Sequence, residues 1–144
     1  MSTQIHPQVD TSTARVTLGV AAAAVVSIAL NTGVALAATA LSPNGTSMGL
    51  QLVAYAPLTI IGVLAGTLGW ALVRRRAANA RATLRKLVPA VVVLSFIPDV
   101  LLLVTGVADG VNFAGLVVMH VVVAAVTVTA VSRVLPLVGY RRTV

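Results

Sequence analysis

Four apolar runs, each about as long as a bilayer's hydrocarbon core is thick, fix what this chain can become. Val16 to Leu41, Leu50 to Val73, Leu87 to Val107 and Phe113 to about Leu135 each reach or exceed the roughly 20 residues that a helix needs to cross about 30 Å of hydrocarbon. Backbone groups in lipid have no water to bond, so such runs must be helical. With 58% hydrophobic and 9% charged residues, the whole chain of 144 is far from the soluble norm of about a quarter charged. The reading is an all-α integral membrane four-helix bundle, up-down-up-down, spanning residues 15–137, with a polar tail over 1–14 and a short basic tail over 138–144.

Sidedness follows from where the cations lie. Arg15, then Arg74, Arg75, Arg76, Arg81, Arg85 and Lys86, then Arg133, Arg141 and Arg142 account for every Lys and Arg, and four crossings put all of them on one side. The opposite turns, SPNGTSMG at 42–49 and ADGVN at 108–112, carry none. The positive-inside rule then predicts cytoplasmic termini and a multi-pass plasma-membrane protein. Trp70, one turn before Arg74, and Tyr140, beside Arg141, are expected at the inner interface, and Tyr55 at the outer one. Ala35-Leu36-Ala37 and Ala38-Thr39-Ala40 both match the small-residue cleavage pattern of a signal peptide. The preceding run is longer than a signal's apolar core, and Arg15 is a thin positive flank, so the sequence favours a retained first span.

The loop Arg74 to Lys86 is read as a topology signal resting on anionic lipid headgroups, where each cation contributes about 1 kcal/mol. It lacks the interleaved aromatics on which single-stranded nucleic acid would stack, so no nucleic-acid partner is predicted. Gly62 and Gly66 form a small-xxx-small pair on the second span, with Gly69 nearby. Such a pair admits close backbone approach, either to the alanines of the first span (Ala21 to Ala24, Ala29) or to another chain in a homo-oligomer.

Two ionisable residues fall inside the spans: Asp99, in SFIPDVLLLV, and His120, in VVMHVVV. Counted from the turn that joins spans three and four, both lie about 10–12 Å deep at about 1.5 Å per residue. Spans joined so tightly must be neighbours, which makes a carboxylate–imidazole contact sterically possible. Asn31, Thr59 and Ser95 are candidate binding residues in the same half, and Ser27 lies one turn below Asn31 on the same face. Pro57 and Pro98 each leave a carbonyl of their own helix without a backbone donor. An ionisable side chain in lipid is costly unless paired or wet, so Asp99 is expected to face the bundle interior and to mark a candidate site. The pair either pins two helices together or forms an acid–base dyad in which the carboxylate orients the imidazole. Asp109 is read as a turn residue and His6 as a tail residue.

The proline-marked centre of span three, the Asp109-Gly110 turn and the run MHVVVAAVTVTAVSR from Met119 together resemble an uncharacterised actinobacterial family of small four-helix integral membrane proteins, carried under a domain-of-unknown-function label. The likeness covers most of residues 15–135 and is specific around Pro98 and Met119-His120. It implies a four-helix bundle and brings no activity, substrate or catalytic residue.

Two function classes stay open. One is a structural, accessory or hydrophobic-ligand-binding bundle. The other is a membrane-embedded acid–base catalyst or proton-coupled carrier for a small hydrophobic molecule, using Asp99 and His120. No cofactor or metal is predicted: there is no cysteine, no glutamate, no phosphate-binding glycine motif, and too few intramembrane ligands for a closed metal site.

Overall fold

The computed structural model describes residues 12–137, and within them the chain is helical apart from short connections. The helices are α1 (Thr13–Leu41), α2 (Leu52–Arg76), α3 (Ala80–Ser95), α4 (Ile97–Val104) and α5 (Gly110–Val134), with one 3₁₀ turn at Met48–Leu50 before α2. Taking α3 and α4 together, four stretches are long and apolar enough to cross a membrane. The chain is a multi-pass membrane protein. His6, Tyr140, Arg141 and Arg142, and the two tails as a whole beyond Ser12 and Leu137, lie outside the described residues.

Three helices form the tight part. A Cβ built on Gly115 of α5 would lie 2.9 Å from the Cβ of Ala38 on α1, and one on Gly19 would lie 2.6 Å from Val134 Cγ1. These two contacts, at opposite ends of both helices, set α1 and α5 running against each other at a separation that only small residues permit. Lipid supplies no hydrophobic drive between helices, so close packing of this kind is what holds them. Gly62 and Gly66 are also used inside the chain, but against α5 rather than α1. Their added Cβ atoms would meet Val123 Cγ1 at 3.4 Å and Thr127 Cγ2 at 3.0 Å. Of the alanines expected to meet them, Ala21, Ala22 and Ala29 are exposed, and the buried alanines of α1 are Ala23, Ala35 and Ala38.

The aromatic residues depart from the interfacial expectation. Trp70 is buried, and its indole N–H donates to Leu135 O at 3.0 Å. Leu135 is the C-terminal cap of α5, so the indole satisfies one of the carbonyls that every helix end leaves free. Tyr55 is buried in the core with Ala35, Ala38, Leu50, Leu116 and Met119. Thr32 Oγ1 donates to Ile28 O at 2.9 Å, so the Tyr55 hydroxyl, 2.8 Å away, is the donor to Thr32 Oγ1. Both aromatics face inward because each finds an acceptor there, which a lipid-facing side chain would lack.

The third span differs from its expected form at both ends. It begins at Ala80, inside the basic loop, because Asn79 caps it: the Asn79 side chain accepts from Ala82 N at 3.0 Å. It then breaks at Phe96. Pro98, in the first turn of α4, has no N–H to offer Leu94 O, and α4 restarts from Ile97. Gly106, at φ 75°, ends α4, with Gly106 N bonded to Leu103 O and Val107 N to Leu102 O. That pair of bonds is the Schellman arrangement.

Candidate functional site

The break in the third span adjoins the one ion pair among the described residues. Asp99 stands in the first turn of α4 and is 4% exposed. Its Oδ2 is 3.2 Å from Nδ1 of His120 on α5. Equal depth along two tightly linked helices thus becomes direct contact. The same Nδ1 is 2.9 Å from Leu116 O, one turn back along α5. A carbonyl only accepts, so Nδ1 holds the proton and donates it to Leu116 O, while Asp99 Oδ2, buried and without a hydrogen-bond partner, lies beside it at ion-pair distance. Phe96, at the break itself, sets its ring at 86° to the imidazole with centroids 5.8 Å apart. This edge-to-face contact fixes the imidazole from a third side.

The two partners do not share one environment. The side chain of Asp99 is 6% exposed and that of His120 34%. The dyad therefore has a closed acidic end and an open basic end.

The other sequence candidates divide. Asn31 Nδ2 donates to Thr59 Oγ1 at 3.1 Å, joining α1 to α2, and both residues are buried. Met119 faces that side in the core with Tyr55, while His120, the next residue, faces α4. The Asn31–Thr59 and Asp99–His120 pairs are thus made on different sides of α5. Ser95 Oγ donates to Val92 O at 2.7 Å, within its own last turn of α3, and so helps close the helix just before the break. Ser27 Oγ, Asn31 Oδ1 and Thr127 Oγ1 are buried without a hydrogen-bond partner.

A second polar cluster was not anticipated from the sequence. Asp109 caps α5, its Oδ1 accepting from Asn112 N at 2.8 Å, and its Oδ2 accepts from Ser42 Oγ and from Asn44 Nδ2. Asn112 in turn donates from Nδ2 to Ser42 Oγ and to Gly45 O, each at 3.1 Å. The Asn112 backbone bond, then the Ser42 hydroxyl, hold the Asp109 carboxyl below its ordinary acidity range. Both turns at this end are thereby clamped together. An Asp immediately before an apolar helix is a recognisable cap signal. The partnership with a turn some 67 positions earlier is not written in any local pattern.

Residues 7–136 match the model of a family described as a family of unknown function (DUF6069), and the chain belongs to that family. No curated protein matches it, and no solved structure does.

Proposed function

We propose that this membrane bundle takes a proton from a small lipid-soluble molecule and returns it, through the Asp99–His120 dyad. The observation that carries the reading is the 3.2 Å contact between a buried carboxyl group and a partly open imidazole at the break of a membrane-length helix. An ionisable group near mid-bilayer costs about 2.5–3.5 kcal/mol on insertion scales. Helices interrupted at such depth are where transporters build their substrate and ion sites. A pin between helices would need no exposure at its basic end, and a neutral hydrogen bond would serve it as well. Leu116 O holds the proton on Nδ1, and the carboxyl group 3.2 Å away stabilises, when ionised, the imidazolium that forms as Nε2 accepts.

The reading includes an orientation. The bundle runs up-down-up-down with both termini and the Arg74–Lys86 segment in the cytoplasm, following the distribution of cations. An open recess of about 410 Å³, lined by Asn79, Arg81, Ala82, Arg85 and Lys86, suits the phosphates of anionic headgroups. Because the chain has no cysteine, single cysteines at Asn44 and at Ala78 give clean reporters. A membrane-impermeant thiol reagent added to whole cells is expected to label the first and not the second, and the reverse pattern overturns the orientation.

The dyad is tested by pH-jump infrared difference spectroscopy of the protein in lipid nanodiscs. Carboxyl and imidazole bands are expected to change together, and Asp99→Asn is expected to shift the imidazole midpoint while the helical circular dichroism stays unchanged. An imidazole midpoint indifferent to Asp99→Asn in a folded protein leaves the pair a pin and sinks the proposal.

A further inference from the structure

With the Nδ1 proton committed to Leu116 O and Asp99 Oδ2 beside it, one nitrogen of His120 has no assignment: neutral imidazole presents a lone pair at Nε2. The exposed side chains near the pair, on the helices that make it, are hydrocarbon. Val93, Ile97, Leu101 and Val121, from the segments that make the pair, are exposed and apolar. Asp99 is the only Asp, Glu, Lys, Arg or His between Lys86 and Asp109, and His120 the only one between Asp109 and Arg133. Whatever reaches Nε2 from this side must therefore dissolve in acyl chains. To meet a lone pair it must also bring a hydrogen-bond donor.

Acidity narrows the class. A phenol is a far stronger acid than an aliphatic alcohol and so gives up its proton to a nitrogen base far more readily. An aliphatic hydroxyl is as weak an acid as water and is out of reach. Phe96 adds an aromatic surface beside the imidazole, 5.8 Å between centroids, which suits a ring-bearing ligand over a plain alkyl chain.

We infer that Nε2 of His120 is the receptor for a lipid-soluble molecule bearing a phenolic or enolic hydroxyl, which arrives sideways from the bilayer between the broken third span and α5. The inference rests on the proton-handling reading of the dyad and gives it a substrate class and a route. In the transfer the ligand O–H bond breaks and an N–H bond forms at Nε2. The electron pair stays on the ligand oxygen, and the imidazolium faces the Asp99 carboxylate across Nδ1. No electron is gained or lost, and return of the same proton restores both partners.

The test uses the full chain in nanodiscs, with nitrogen-labelled histidine and His6→Gln, which leaves His120 as the sole imidazole. Titration with para-octylphenol is expected to move the Nε2 resonance saturably, while octylbenzene and decanol leave it in place. Asp99→Asn is expected to weaken the para-octylphenol response by about tenfold, the loss of the negative charge 3.2 Å from Nδ1 that stabilises the imidazolium. Equal responses to octylbenzene or decanol overturn the hydroxyl class. A response to water-soluble para-hydroxybenzenesulfonate without one to para-octylphenol overturns the lateral route. If Nε2 ignores every phenol while its bulk-pH titration still depends on Asp99, this inference fails and the proton-handling function survives. If that titration is independent of Asp99, both fail.

Discussion

The α1/α2/α5 core and the broken third span are made from nearly the same residues, yet they are held by opposite means. Within its most apolar stretch α5 is 28% buried, whereas the Ala80–Val104 span is 6% buried. The core is closed by small residues: Gly115 against Ala38, Gly19 against Val134, Gly66 against Thr127. The third span, rich in Val and Leu, has no such device. It is attached by Asp99 to His120, by Phe96 to the same imidazole, by Leu84 packed with Trp70 and Val131, by Leu102 against the core, and by a short turn. Apolarity alone does not assemble helices in lipid, because lipid is as apolar as they are. What distinguishes the regions is where side chains are missing and where polar groups meet.

That contrast breaks most readily at Gly115. Gly115→Leu is expected to destabilise the bundle by about 1–3 kcal/mol or more through overpacking against Ala38. Val93→Ala in the third span, an equally simple change at an exposed position, is expected to stay within about 0.5 kcal/mol. Steric-trap unfolding in bicelles measures both, and similar losses would erase the distinction drawn between the regions.

Next in size is Asn31→Leu, which removes the α1–α2 hydrogen bond to Thr59. Such bonds average about 0.6 kcal/mol in membrane proteins and reach about 1.7. The same assay is expected to return a value in that range without changing the imidazole midpoint of His120, since the two pairs lie on different sides of α5. A shifted midpoint would join core and third span into one network.

Ser27→Ala is expected to be neutral or slightly stabilising, within about 0.5 kcal/mol, because Ser27 is fully buried and its hydroxyl has no partner. The register set by Gly19–Val134 and Ala38–Gly115 brings Ser27 level with Thr127, whose hydroxyl is also unpartnered. A loss well beyond that figure would mean that the core, too, is held by polar bonds.

The smallest effect is expected at the clamp of Asp109. Its acidity in the folded protein lies below the ordinary value of 3.8. A group so shifted contributes stability above its unfolded pKa, and the contribution disappears as pH falls through the folded value. Amide exchange at Asn112, whose N–H the carboxylate accepts, is expected to be indifferent to pH-dependent opening near neutrality and to accelerate only below about pH 4. Asp109→Asn is expected to show that faster opening already at neutral pH.

Much of this was legible in the sequence because its signals are one-dimensional. Apolar length marks the spans, and counting residues from a shared turn was enough to bring Asp99 and His120 to the same depth. What escaped required knowledge of who faces whom. Gly62 and Gly66 announced a close contact without naming α5 as the partner. Trp70 and Tyr55 looked like interfacial anchors because a helical position near the end of a span does not reveal whether an acceptor such as Leu135 O or Thr32 Oγ1 waits inside. The break at Phe96 was foreshadowed by Pro98, but Pro57 and Pro89 sit inside unbroken helices. Proline alone therefore does not locate a break. The Ser42–Asp109–Asn112 clamp joins two turns far apart in the chain, and nothing in either turn specifies the other.

The indole of Trp70, seated on the last turn of α5, has an optical consequence. It is the chain's single tryptophan, so indole emission comes from one fluorophore whose N–H is bonded to Leu135 O. Its colour reports the latch where α2, α5 and the start of the third span meet, through Trp70, Val131 and Leu84. Moving the fluorophore, by Trp70→Phe together with Phe96→Trp, would turn the same instrument onto the hinge.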